Sequence, residues 1–275
     1  MKSGAHEGSS VTWIYAFPSW LFALLVVGAA CTLACLGLSI TRRRVLPNEQ
    51  ISHNDVSGPI LSTIGALLAV MLSFMVVNVW QQFDTTAAVL QREAGAMADV
   101  YHLAAFLPQP ERVRIQSDVD RYLTQVIELD WPAMQRGSRS LKAHDTLFRV
   151  LGSVAGTSPR TPGQSQVQAS ALTAVQTAID ARRQRSHDNE TGIPPILWCT
   201  MLFMSAITLV VGFFFRVQSV SAHYTMVIAL AAAIAISFVL IAELDYPFRG
   251  DTSLSPHDFI HEHNRIHGID INSGY

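Results

Sequence analysis

Charge is scarce in this chain, and it is missing altogether from four long apolar stretches. Only 15% of the 275 residues are charged. Between about Trp13 and Ile40, Pro59 and Trp80, Pro195 and Phe215, and His223 and Ala242 there is no Asp, Glu, Lys or Arg. Each stretch can cross the roughly 30 Å hydrocarbon core of a bilayer. Spans without ionisable groups lack the usual marks of a proton relay or charge-coupled transporter, so a pump is disfavoured. With 49% hydrophobic residues and a positive mean hydropathy, the composition is that of an integral membrane protein.

Other absences narrow the function. The three cysteines, Cys31, Cys35 and Cys199, all fall in or next to the spans, so no disulfide framework is implied and they are expected as buried thiols. No basic block supports nucleic-acid binding, and the net charge of −2 points to no partner. The sequence contains no Gly-x-x-x-x-Gly-Lys-Ser/Thr loop, no His-Glu-x-x-His and no Gly-x-Ser-x-Gly, which leaves an enzyme reading without support. Alternating strand patterns are also missing, so the expected class is all-α.

The first span superficially resembles a secretory signal, because Lys2 precedes it and Gly28-Ala29-Ala30-Cys31 is faintly like a lipoprotein cleavage site. The apolar run continues instead to Arg42-Arg43-Arg44, a stop-transfer flank, and is read as a retained span. Expected boundaries are an N-terminal tail 1–12, spans one and two within 13–80, a soluble helical stalk 81–194, spans three and four within 195–243, and a polar His-rich tail 244–275.

Span two flows without interruption into an amphipathic pattern. Val79, Phe83, Ala87, Leu90, Ala94, Met97, Tyr101 and Ala104 recur at steps of three and four, and no Pro occurs between Pro59 and Pro108. At 1.5 Å per residue, about 47 residues make a rod of roughly 70 Å, more than twice the membrane core. Beyond Pro108 and Pro110, Ile115, Val119, Tyr122, Val126 and Leu129 mark a second stalk helix ending near Trp131-Pro132. A loop is expected over Gly152 to Ser165. A third helix follows, with Gln168, Leu172, Val175, Ile179 and Arg182 on one face, until Gly192-Ile193-Pro194-Pro195 delimits the return to the membrane. The stalk is thus expected from long extensions of spans two and three packed side by side.

Small residues at four-residue intervals, Gly65, Ala69 and Ser73 in span two and Ala229, Ala233 and Ser237 in span four, allow close helix approach. They are also simply common in membrane helices. Arg42, Arg43 and Arg44 favour a cytoplasmic loop between spans one and two, whereas Lys2, Arg92, Arg182, Arg183, Arg185 and Arg249 outnumber them on the other side. The balance leans towards a cytoplasmic stalk with both termini on that side.

In the tail, His257 and His261 share a helical face, as do His263 and His267, a spacing at which imidazoles can hold a divalent transition metal. Solvated tail histidines, or a pH-sensitive tail, are the alternatives. No other cofactor is expected.

Three segments carry a resemblance: Ser73 to Trp80 running on to Arg92-Glu93-Ala94, Pro195-x-x-Trp198, and Glu243-Leu244-Asp245-Tyr246-Pro247-Phe248-Arg249-Gly250. In these the chain resembles the bestrophin-like family of four-span bacterial membrane proteins and, more distantly, the bestrophin anion channels. The resemblance implies a homo-oligomer, pentameric as in bestrophins, with the second helix lining a pore for inorganic anions through an apolar neck. Bestrophins carry an Arg-Trp-Trp-Glu stretch where this chain has Val79-Trp80-Gln81-Gln82, and the acidic run that binds calcium in animal members is interrupted here by Arg249.

If the fold carries over, Leu68, Leu72, Met75 and Val79 form one face of span two at the depth of a neck, where apolar rings gate by dewetting. The competing expectation is that this face packs against span one or four. Asn78 either bonds across helices or lines a polar exit. Glu93 is expected on a solvated face or paired with the Arg182-Arg183-Arg185 cluster. Asp245, Pro247 and Phe248 are expected to anchor the tail. Two functions follow: a homo-oligomeric anion channel, or a non-conducting scaffold or sensor whose stalk binds a protein and whose tail senses metal or pH.

Overall fold

The structure, a computed structural model, describes residues 18–44, 54–215 and 217–268. The N-terminal tail, the first residues of span one from Trp13 to Phe17, and positions 269–275 of the tail lie outside the described residues. Among those described, every regular element is helical: α1 (Ser19–Arg44), α2 (Asn54–Ala104), α3 (Glu111–Gln125), a π turn (Val126–Asp130), α4 (Trp131–Gln135), α5 (Leu141–Ala155), α6 (Pro162–Glu190), α7 (Pro195–Phe213), α8 (Val220–Asp245) and α9 (His257–Ile266). Helices α1, α2, α7 and α8 are long and apolar enough to cross a membrane. The described residues divide into one compact unit within 18–82 and 192–245 and a second within 83–191 and 246–268.

In the membrane unit α1 and α8 are neighbours, with Ala34, Leu38, Val227 and Ala231 of the two helices clustering with Phe213 of α7. The absence of a side chain at Gly37 permits this contact, since a Cβ there would stand 2.6 Å from the Phe213 ring. Polar contacts close both ends of the pair. Ser19 donates to Glu243 at 2.8 Å, and the Arg42 guanidinium meets Nδ1 of the buried His223 at 3.1 Å. Because a guanidinium only donates, Nδ1 accepts and Nε2 carries the proton it gives to the Gly212 carbonyl at 3.2 Å, near the end of α7.

The small-residue stripes do not make these contacts. Ala69, Ser73, Ala229 and Ala233 are exposed on the single chain, and a Cβ on Gly65 would meet nothing within 4 Å. The thiols are also less enclosed than expected, with Cys31 and Cys35 half-buried and Cys199 exposed.

The second unit departs from the expected layout in two places, neither of them the break before α7. Helix α6 ends at Glu190 and α7 starts afresh with Pro195 in its first turn, so the break falls at the expected Gly192-Ile193-Pro194-Pro195 delimiter, where Pro194 and Pro195 supply no backbone donors. Pro132 does not end a helix. The turn before it widens, with the Trp131 N–H bonding back five residues to the Val126 carbonyl, and α4 continues past the proline ring to Gln135. Helix α5 occupies much of the sequence left unassigned before the loop and runs through Gly152; its buried face is Ala143, Thr146, Leu147, Val150, Ser153 and Val154. The loop itself shortens to the residues between Ala155 and Pro162. Thr161 then caps α6 by accepting from Gln164 N at 3.2 Å, while the Gln164 side chain accepts from Arg160 N at 2.8 Å.

Candidate functional site

On the membrane portion of α2 the apolar face expected to form a neck turns inward. Leu68, Leu72, Met75 and Val79 are all buried within the single chain. That burial is the behaviour expected of the competing arrangement, in which this face packs against the chain's own helices. The outward strip runs through Thr63, Leu67, Val70, Phe74, Asn78 and Gln81 at steps of four, three, four, four and three. Val70 and Phe74 are each 70% exposed. Polar side chains thus flank a central apolar segment on one helical strip.

The C-terminal half of α2 carries the most unusual electrostatics. Glu93 is completely buried, and so is its partner Arg185 of α6, at 0% and 1% exposure. Arg185 grips both carboxylate oxygens, Nε to Oε2 at 2.8 Å and Nη2 to Oε1 at 2.9 Å. The two-pronged geometry suits a buried pair. Arg185 also reaches Asp130 Oδ2 at 3.0 Å, and Arg182 reaches the same oxygen at 2.6 Å. Asp130 closes the π turn, and its other oxygen accepts from Ser140 N at 2.8 Å. Tyr122 of α3 donates to Glu93 Oε1. Two carboxylates and two guanidiniums therefore cancel inside the core.

Each ionisation follows from that arrangement. Burial would raise the Asp130 carboxyl, but the charges of Arg185 and then Arg182 outweigh it and hold it below the ordinary 3.8. Burial would equally weaken the Arg185 cation, yet Glu93 and Asp130 hold it charged more firmly than an ordinary arginine. Tyr122 is kept neutral, pushed up by burial and then by the neighbouring Glu93 charge.

The tail closes over this cluster. Phe248 packs edge-on to Trp131 at 5.6 Å between ring centroids, and Phe259 of α9 lies 6.2 Å from the same indole and 5.6 Å from the Arg185 guanidinium. Pro247 contributes its carbonyl to Leu254 N at 2.8 Å. Arg249 stacks on Tyr246 at 4.2 Å and donates to the Asn189 carbonyl in the last turn of α6 at 3.3 Å, placing a cation where the helix dipole favours one. In the membrane unit Asp245 accepts from Ile193 N at 2.6 Å.

The four tail histidines separate into two pairs. His257 and His261 stack at 6.3 Å, with Asp258 and Glu262 of their own helix as acidic neighbours at 4.0 and 3.5 Å. His263 and His267, with ring centroids 4.6 Å apart, converge on Asp120 of α3, whose Oδ1 is 3.3 Å from His263 Nε2 and 2.7 Å from His267 Nε2. Spacing pointed to the histidines, but nothing local pointed to Asp120.

The four apolar helices and their packing define an all-α integral membrane protein. The bestrophin-like domain profile matches residues 29–259, and the chain belongs to the bestrophin-like family. Its fold is similar to that of a bacterial bestrophin homologue from Klebsiella pneumoniae, at 9% identity over 90% of this chain and 97% of that one, TM-score 0.68. A single-residue variant of the Klebsiella pneumoniae homologue gives 10% identity over 89% and 98%, TM-score 0.67. No curated protein matches the sequence.

Proposed function

We propose that this chain forms a homo-oligomeric ion channel in a bacterial inner membrane, with α2 lining a pore that conducts inorganic anions. The observation that carries the reading is the outward strip of α2. Leu67, Val70 and Phe74 would form the apolar neck, and Asn78 and Gln81 would present amide donors beside it. A neck of this kind conducts or dewets according to its width, and uncharged donors let an anion leave as readily as it enters. Family membership supports the choice of a pentamer, and the reading assigns no catalysis. The arginine balance along the sequence supports a cytoplasmic soluble unit and termini.

Chloride flux through the purified protein in liposomes tests this. Phe74→Ala is expected to change the flux several-fold while Leu72→Ala, on the inward face, changes stability alone. Silence of the wild type, from an oligomer too small to form a ring, would replace the channel by a membrane scaffold. That second reading is favoured by the convergence of Asp120, His263 and His267, which would let the tail sense metal.

A further inference from the structure

We propose that Asp120, His263 and His267 bind one divalent transition metal per chain and that the ion fastens the tail helix α9 to α3. The three side chains come from two segments far apart in sequence, and their ligand atoms all lie within 4.8 Å of one another. His263 ends one turn of α9 and His267 caps that helix, so a four-residue step puts both imidazoles on the side facing α3.

The distances suit a small four-coordinate ion. Bonds of 2.0–2.1 Å at tetrahedral angles place ligand atoms about 3.3 Å apart. The His263 Nε2 to Asp120 Oδ1 distance is already 3.3 Å, and the 2.7 Å of His267 Nε2 to the same oxygen needs to open by about half an ångström. All three side chains are partly exposed, at 27% for His263, 38% for Asp120 and 45% for His267, so that adjustment meets no packed core and the fourth position is open to water.

The donor set also selects the ion. Two imidazole nitrogens and one carboxylate suit zinc and its transition-metal neighbours. Calcium and magnesium prefer oxygen ligands and are disfavoured by a site in which two of the three donors are imidazole nitrogens. Among cationic side chains, Arg265 is engaged with Glu262 at 2.8 Å rather than with Asp120. The His257 and His261 pair has the same spacing but, among the described residues, receives no ligand from a second element, which makes it an internal control.

An occupied site would close the chain between Asp120 and His263 into a loop and hold α9 down at its C-terminal end, while Phe259 holds the helix near its start over Arg185. Metal would then set how firmly the tail is seated.

The test uses the full chain in detergent, stripped by chelator, with zinc titrated calorimetrically and cobalt as a spectroscopic probe. One zinc per chain is expected, together with intense visible cobalt bands of tetrahedral character and a zinc-dependent rise in melting temperature. Asp120→Asn and His267→Ala should each weaken zinc binding by more than the ~100-fold that loss of an outer partner can cost, and abolish the melting shift. His257→Ala and His261→Ala should bind as the wild type does. Wild-type protein that takes up no zinc, or zinc binding that survives Asp120→Asn and His267→Ala but is lost in the His257 or His261 variants, overturns the proposal. Because both readouts are independent of ion flux, a non-conducting protein would leave the result unaffected.

Discussion

Arg185 holds Glu93 by both oxygens, 2.8 and 2.9 Å away, across 92 positions of sequence and with neither side chain touching solvent. The pair joins the C-terminal half of α2 to α6 and shares its charge with Asp130 and Arg182.

Glu93→Gln leaves Arg185 with an uncompensated buried charge and is expected to cost about 3–5 kcal/mol, read from thermal or denaturant unfolding of the full chain. Glu93→Gln combined with Arg185→Met should cost clearly less than the two single changes added together. Simple additivity would mean that the pair is not coupled.

Asp130 makes stability depend on acid. Its folded value lies below 3.8, so its contribution is complete above that pH and is lost as pH falls through the lower folded value. Unfolding followed from pH 5 downward should show a loss beginning below about 4, and Asp130→Asn should start less stable and respond more weakly over that window. An unchanged acid profile in Asp130→Asn would remove this residue from the account.

Phe248→Ala is expected to open a cavity beside Trp131 worth about 3–5 kcal/mol. Limited proteolysis should then cut the chain after Tyr246 faster than in wild type. Equal cutting rates would show that the tail is held by Phe259 and Arg249 alone.

Within α2, Phe74→Ala and Val70→Ala should alter chloride flux, and Leu72→Ala should lower the melting temperature by leaving a cavity. If instead Leu72→Ala changes conductance in a stably assembled protein and Phe74→Ala does not, the neck lies on the face here assigned to internal packing.

Much of the architecture was legible because its causes are local. Four uncharged apolar runs identify the spans, and a stretch without Pro from Pro59 to Pro108 identifies α2, which the structure ends at Ala104. Which face of α2 the chain itself covers was not legible, since periodicity defines a strip but not what lies against it. Leu72 and Phe74 are chemically alike and differ only in what surrounds them. Arg182 and Arg185 resemble surface cations in sequence, and only Asp130 and Glu93, 52 and 92 positions away, make them interior. Likewise Asp120 acquires its candidate role from a helix 143 residues further on, counting from Asp120 to His263. Helix α5 was obscured by Gly152, whose position inside the helix is offset by the apolar face on either side of it.

Gly137 follows α4 with a φ of +73°, and a Cβ at that position would stand 2.6 Å from Arg249 Nη2. Any L-residue there is resisted twice, by its own backbone and by the guanidinium lying against it. A substitution at 137 would thus act more than a hundred positions away, levering Arg249 off the Asn189 carbonyl and leaving the carboxyl end of α6 without its counter-charge. The tail's latch is therefore set by a position that contributes no side chain.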